Sequence, residues 1–363
     1  MSRRLWETWE RERPHHENAL ANLLIFLTMP DFSIGVDLGG TNLRIAAITT
    51  EGELLEKITV PAKVPLGPDH VIGEMCNAIL KLSEKHKDSR RFLGAGVGVP
   101  GVIDMQTGTM RKAANLPGFE NYPVRAEIER RSGMLVVLEN DARVATLGEQ
   151  WLGAARGIAN VAMITLGTGI GGGLVLEGKI RHGVNGLAGE FGHVSLEPDG
   201  LACGCGNRGC AEKYASASAI LRMAREATAN RDAPSLSKAV SSEPEFVAKA
   251  IYDLAMQGDE PARGIFVTFG RYLGILLVNL INVIDPEMFV IGGGVSSAWD
   301  AFAPKMFEEL RTRSLICTMS ESATMPATDV SANDRVGKTI ITRALLGSDA
   351  GLYGAARAAA LAR

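Results

Sequence analysis

"SIGVDLGGTNLRIAAITTEGELLEKITV" (residues 33–60) is rich in β-branched and small apolar residues and is cut twice, by "GGT" and by "TEG". Glycine and threonine at those cuts are turn formers, so the pattern predicts three short strands in an antiparallel meander. Farther along, "NVAMITLGTGIGGGLVLEGKI" (160–180) repeats the device of strand, glycine turn and strand. Between the two stretches the sequence alternates: a helix over 70–86, a strand in "FLGAGVGVPG" (92–101), a helix in "VRAEIERR" opened by Pro123 in its first turn, a strand in "MLVVLEN", and a helix over 142–152. Such alternation implies a sheet covered by helices, hence an α/β domain, and its recurrence points to a duplication.

The later part of the chain is mostly helical. "GIFVTFGRYLGILLVNLINVI" (264–284) is expected to be a buried helix, "EMFVIGGG" (287–294) a strand ending in a third glycine turn, and the alanine-rich "AGLYGAARAAALAR" (350–363) a final helix. The run "ALANLLIFL" (19–27) is too short to span a bilayer and reads as a short surface helix; neither a signal peptide nor a membrane span is expected.

With 363 residues, 46% hydrophobic and 22% charged, the chain is long enough for two domains. A net charge of −3 supplies no basic field of the kind that neutralises phosphates along a nucleic acid, so no nucleic-acid partner is expected. The five cysteines are too few for a disulfide framework and fit a reducing, cytoplasmic setting. The 41 glycines gather at strand ends, where backbone can approach a small ligand closely.

Three turns have that form: "DLGGT" (37–41), "GTGIGGG" (167–173) and "GGGVS" (292–296). Amides exposed in such turns make a nest for phosphate oxygens, although none of the three fits either standard phosphate motif. As a pair, the two hairpins would clasp a nucleotide triphosphate. Asp37 would add a carboxylate for a hydrated Mg²⁺, or else bond its own turn backbone. Thr41 offers a hydroxyl to phosphate or simply begins a strand. Asp141, at a strand end, is a candidate general base and equally a helix N-cap. Cys203, Cys205 and Cys210 with one histidine, His182 or His193, would close a tetrahedral zinc shell and leave no open position for chemistry. A reactive cysteine pair is the competing reading.

In order, "IGVDLGGTNLR", "GVGVPGVID", "LEND", "GTGIGGG", "GEFGH" and "CGCGNRGCAEKYAS" resemble the ROK family of repressors and sugar kinases over residues 33–363, and most of all its glucokinase-like members. The resemblance implies the actin-like, hexokinase-type ATPase fold, a duplicated ribonuclease H-like motif forming two α/β domains around a cleft. Expected boundaries are a helical extension at 1–32, a smaller domain at 33–143 with a returning helix at 346–363, and a larger domain at 144–345 carrying the zinc loop. It implies ATP-dependent phosphorylation of a hexose, glucose first, with N-acetylmannosamine, fructose or mannose as other sugar substrates. Asp141 would be the base. Asn115, Asn140, Asp141, Glu190, His193 and Glu212 would contact the sugar. Asp37, Gly39, Gly40, Thr41, Asn42, Gly167, Thr168, Gly169, Gly171, Gly293 and Gly294 would serve ATP and Mg²⁺, and His193, Cys203, Cys205 and Cys210 would bind a structural zinc. Gly98 and Gly101 would shape the sugar loop. A homodimer or homotetramer is implied. The family also holds sugar-responsive repressors, but the 32 residues before the first strand are too few for a winged DNA-binding domain.

Overall fold

The computed structural model describes residues 29–113, 115–229, 233–241, 244–316 and 339–363. The helix expected at 19–27, Cys317 and nearly all of the stretch 317–339 lie outside the described residues.

The opening meander forms as its turns require. β1 (Phe32–Leu38), β2 (Asn42–Thr49) and β3 (Leu54–Pro61) pair antiparallel, with Asp37 opposite Arg44 and Leu38 opposite Leu43. β4 (Phe92–Val99) pairs parallel with β1. A short antiparallel ribbon of β5 (Val102–Asp104) and β6 (Thr109–Lys112) follows; it was not foreseen. Asp104 closes its turn by accepting from the amides of Gln106 and Thr107 and pairing with Arg111; the Thr107 amide and then Arg111 hold its carboxyl down at about 2. β7 (Val136–Asn140) completes a sheet of order β3-β2-β1-β4-β7. Central β1 is buried on both faces, whereas edge strand β3 alternates exposed and half-buried positions, so one meander carries both a core and a solvent pattern. Helices α1 (Pro68–His86) and α2 (Val124–Ser132) belong to this unit; Val71, Ile72, Met75, Ile79 and Ile128 join the core beneath them. Pro123 is the N-cap of α2, one position earlier than expected.

After α3 (Asp141–Trp151), the device recurs. β8 (Val161–Leu166), β9 (Ile170–Leu176) and β10 (Lys179–Ile180) pair antiparallel; β11 (Met288–Gly292) runs parallel to β8, and β12 (Ile340–Arg343) parallel to β11. The order is β10-β9-β8-β11-β12. Numbered within each half, both sheets read 3-2-1-4-5, so the suspected duplication is one of topology. Strand β12 had no reading in the sequence, because four residues are too few to show a period.

Between β10 and β11 come α4 (Ala217–Ala229), α5 (Leu236–Val240), α6 (Pro244–Met256) and α7 (Glu260–Ile284); α8 (Trp299–Arg313) and α9 (Ala350–Leu361) follow. Asp259 caps α7 by accepting from the Ala262 amide at 2.9 Å. By length and composition α7 could cross a membrane, but Phe266, Phe269, Leu273, Leu277 and Ile281 are fully buried in the core of this unit. Gly270 and Gly274 let α8 close on it: a Cβ at Gly270 would lie 2.3 Å from the Phe302 carbonyl oxygen.

By contacts the chain divides into one unit ending at Glu139 and regained at Ala355–Arg363, and a second of Asn140–Gly354. Residues 140–143 and 346–354, expected with the first domain, group with the second. The cause is packing of α3 on β9: a Cβ at Gly173 would strike Thr146, and one at Gly171 would lie 3.1 Å from that of Ala142. Gly354 sits so close to α3 that a Cβ would fall 1.6 Å from the Val144 carbonyl oxygen.

Candidate active site

In the first unit, the β1–β2 turn leaves Gly40, Thr41 and Asn42 exposed and Gly39 half-buried. The Gly39 amide donates to the Asn42 carbonyl at 2.8 Å, and this bond closes the turn. Asp37 meets Arg44 across the strand pair at 3.2 Å, with side chains 19% and 28% exposed. Asp37 thus has an ion-pair role across the two strands. Asn115 comes to the same turn, its carbonyl oxygen 3.3 Å from where a Cβ of Gly40 would stand. Buried Leu116 and Phe119 anchor "NLPGF" and leave Asn115 exposed. Gly101, at φ +103°, shapes this region: a Cβ there would lie 2.2 Å from the Lys112 carbonyl oxygen, just ahead of Asn115.

In the second unit, the β7–α3 junction separates two roles that sequence left entangled. Asn140 is the N-cap: its Oδ1 accepts from the amides of Ala142 at 3.0 Å and Arg143 at 3.3 Å. Asp141 is therefore the first helical residue, half-buried, its Oδ1 accepting from the Ala142 amide at 2.8 Å. Arg143, two residues after Asp141 and 3% exposed, donates to the carbonyls of Gly186 at 2.5 Å and Ala188 at 3.2 Å. Sequence inspection missed Arg143; the available signal was a charge within the apolar stripe of "ARVATLGEQW", which also holds buried Glu149.

The β8–β9 turn is closed by the Gly167 amide donating to Gly169, and it is tied to the start of α4 by Ala217 and Ser218, which donate to the carbonyls of Gly167 and Thr168. Gly167 faces open space, whereas Gly169 faces Glu212, whose Oε2 would be 2.7 Å from a Cβ there. Gly171 is already inside β9. Of the third turn, Gly293 (φ +82°) packs on the β8 end at Leu166, and Gly294 begins a 3₁₀ turn with nothing over it.

Glu190 and His193 share one 3₁₀ turn, closed by the His193 amide donating to Glu190 at 3.1 Å. His193 then meets the cysteine loop. The ligand atoms of His193, Cys203, Cys205 and Cys210 all lie within 4.8 Å of one another. His193 Nδ1 is 3.7 Å from Cys203 Sγ, and Cys205 Sγ is 3.7 Å from Cys210 Sγ. A tetrahedral shell with metal–sulfur bonds of about 2.3 Å has edges of about 3.7 Å, so the four residues fit zinc. His182 is not in this cluster. Burial pushes the Cys203 thiol up to about 12 and raises that of Cys210, while the Asn207 amide lowers that of exposed Cys205. Glu212 Oε1 accepts from Cys203 at 3.0 Å and lies 3.8 Å from His193 Nδ1. The carboxylate thus has one oxygen toward the cluster and the other toward Gly169. Stacked Tyr214 and Tyr272 brace the loop from behind: Tyr214 accepts from the Leu201 amide, and Tyr272 donates to Glu197. This tyrosine support also went unread in the sequence.

A sequence profile of the ROK family matches residues 33–361. The chain is 37% identical over 323 residues to a glucokinase of Halalkalibacterium halodurans, covering 88% of this chain and 92% of that protein. It is 40% identical over 265 residues to a glucokinase of Thermotoga maritima, covering 73% and 82% respectively. Among solved structures, the ROK glucokinase of Streptomyces griseus in complex with glucose and AMPPNP superposes with a TM-score of 0.71 at 33% identity, over 91% of this chain and 99% of that one.

Proposed function

This chain belongs to the ROK family, and on that premise we propose that it transfers the terminal phosphoryl group of ATP to a hydroxyl of a hexose, with glucose preferred. Support comes from the glucokinase relatives and from the likeness to a kinase structure holding glucose and an ATP analogue. The fold is accordingly the actin-like ATPase fold with its duplicated sheet.

The observation that carries the chemistry is the division of labour at the head of α3. Because Asn140 caps the helix, Asp141 is not required as the cap, and its carboxylate stands at the carboxyl end of a strand, where such sheets place reacting groups. There it accepts the proton of the sugar hydroxyl as that oxygen attacks phosphorus. Asn140, whose oxygen is engaged by two amides, is a sugar contact beside it. Glu190, His193 and Glu212 in the second unit, and Asn115 in the first, are the further sugar contacts. Polar side chains of this kind discriminate stereochemistry because a wrong hydroxyl leaves a buried partner unmade.

Turn amides near Gly39, Gly40, Gly167, Gly169 and Gly294 suit phosphate oxygens, with Thr41, Asn42 and Thr168 beside them. Asp37 would hold Mg²⁺, which supplies charge neutralisation at the phosphates. Zinc on His193, Cys203, Cys205 and Cys210 would be structural, its work being to fix His193 and Glu212. The test is ADP formation by the full chain, coupled to a spectrophotometric readout, against glucose, mannose, fructose, N-acetylmannosamine and no sugar. Hexose-dependent ADP is expected, fastest with glucose. ATP turnover independent of any sugar would overturn the proposal.

A further inference from the structure

The loop 182–189 precedes Glu190; its last residue is seated on β9, where a Cβ at Gly189 would lie 3.0 Å from the Gly172 carbonyl oxygen, and the stretch before it is rich in glycine. Gly183, Gly186 and Gly189 have positive φ (72°, 70° and 95°), and Val184 is fully exposed. Its backbone closes on itself through the Ala188 amide to His182 at 3.0 Å and the Gly186 amide to Gly183 at 3.4 Å. Across from it lies Arg143, whose side chain is buried to 3% exposure. Its guanidinium spans the loop: Nη2 donates to Gly186 O at 2.5 Å and Ala188 O at 3.2 Å, and Nε donates to Ala188 O at 3.3 Å.

A buried guanidinium strongly prefers that its donors be met, and its planar fork fixes the direction of the acceptors it meets. The two ends it joins both matter. Arg143 is two residues after Asp141 and receives the Asn140 cap on its own amide; Ala188 is two residues before Glu190, which shares a 3₁₀ turn with His193. We propose that Arg143 is a positioning residue for sugar binding, setting the loop that carries Glu190 at a fixed distance from Asp141. The proposal rests on the kinase reading above. Arg143 touches no reacting atom. Without its fork, the stretch around the left-handed Gly183 and Gly186 would sample more conformations although Gly189 stays seated on β9, and ordering it would fall on the sugar as a penalty to affinity.

The experiment compares wild type, Arg143→Met and Arg143→Lys in the coupled ADP assay, with hexose and ATP varied separately. Loss of sugar positioning raises the hexose KM with little change in kcat, so Arg143→Met is expected to raise that KM by about tenfold while kcat and the KM for ATP stay within about threefold. Arg143→Lys keeps the charge without the fork and is expected to fall between the two. KM does not depend on the fraction of protein folded, so a merely structural arginine would lower apparent kcat and leave the hexose KM alone. If Arg143→Met fails to fold, Arg143→Lys decides by the same ratio. An active wild type with unchanged hexose KM in the variant overturns the positioning role alone; a wild type without hexose-dependent ADP overturns the kinase reading and this role together.

Discussion

The two glycine hairpins of this chain occupy the same place in the same topology, yet their glycines answer to different forces. At β1–β2 the turn is exposed; a Cβ on Gly39 or Gly40 would come no closer than 3.3 Å to its neighbours. Those contacts are tight but far milder than at β9, so space demands glycine less strongly there, and the proposed approach of phosphate to the backbone would add a further reason for it. At β8–β9 the glycines are mostly embedded. A Cβ at Gly172 would lie 2.3 Å from the Gly189 carbonyl oxygen, and one at Gly173 would lie 2.0 Å from Thr146 Oγ1. That run exists so that α3 and the loop of Glu190 can press against β9 from two sides. Only Gly167, at its tip, resembles the first hairpin, since Glu212 already stands over Gly169. Similar glycine spellings therefore encode one open turn and one packing seam.

Substitutions can pull this contrast apart. The largest effect is expected from the acidic residues that each half supplies. Asp141→Asn should lower kcat by roughly 10²–10⁴-fold, the span of a lost general base, with the thermal unfolding curve unchanged. Sugar-dependent turnover surviving at the wild-type rate would remove Asp141 from that role. Asp37→Asn, in the first half, should instead raise the Mg²⁺ concentration needed for half-maximal rate.

Next in size is the candidate metal cluster of the second half. Cys205→Ser should lose bound zinc, measured by mass spectrometry of metal content, and should weaken sugar binding by roughly 10–100-fold, because ligands orient the residues behind them. Full sugar affinity in a zinc-free protein would break the link between metal and sugar site.

The hairpins themselves come third. Gly172→Ala should destabilise by about 1–3 kcal/mol through overpacking and lower the melting temperature by about 3–10 °C. Gly40→Ala should leave the melting temperature almost unmoved while raising the KM for ATP. Equal melting temperatures for the two variants would erase the distinction between seam and open turn.

Smallest is the cross-strand ion pair of the first hairpin. Arg44→Met should cost under about 1 kcal/mol in chemical denaturation, as expected for a partly exposed pair. A larger loss would mean that Asp37 depends on Arg44 for more than charge.

Much of the fold could be read without coordinates, for a physical reason: strand, turn and helix signals are local, and this chain spells them within a few residues. The meander at 33–60, its echo at 160–180 and the apolar helix at 264–284 depend on short-range periodicity and on glycine at fixed offsets. The His–Cys cluster was legible because thiolate and imidazole have few other reasons to gather, although spacing by itself could not choose between His182 and His193. What the tertiary structure decided is what lies between distant segments. Which of Asn140 and Asp141 caps α3 follows from backbone direction at one junction. Strand β12 and the β5–β6 ribbon are too short to carry a period. That the glycines at 171–173 are a packing surface, and that Arg143 reaches across to Gly186 and Ala188, follows only when residues more than forty positions apart in one case and about thirty in the other come within van der Waals or hydrogen-bond range. No local pattern encodes such distances; they are set by how the sheet and its helix close on one another.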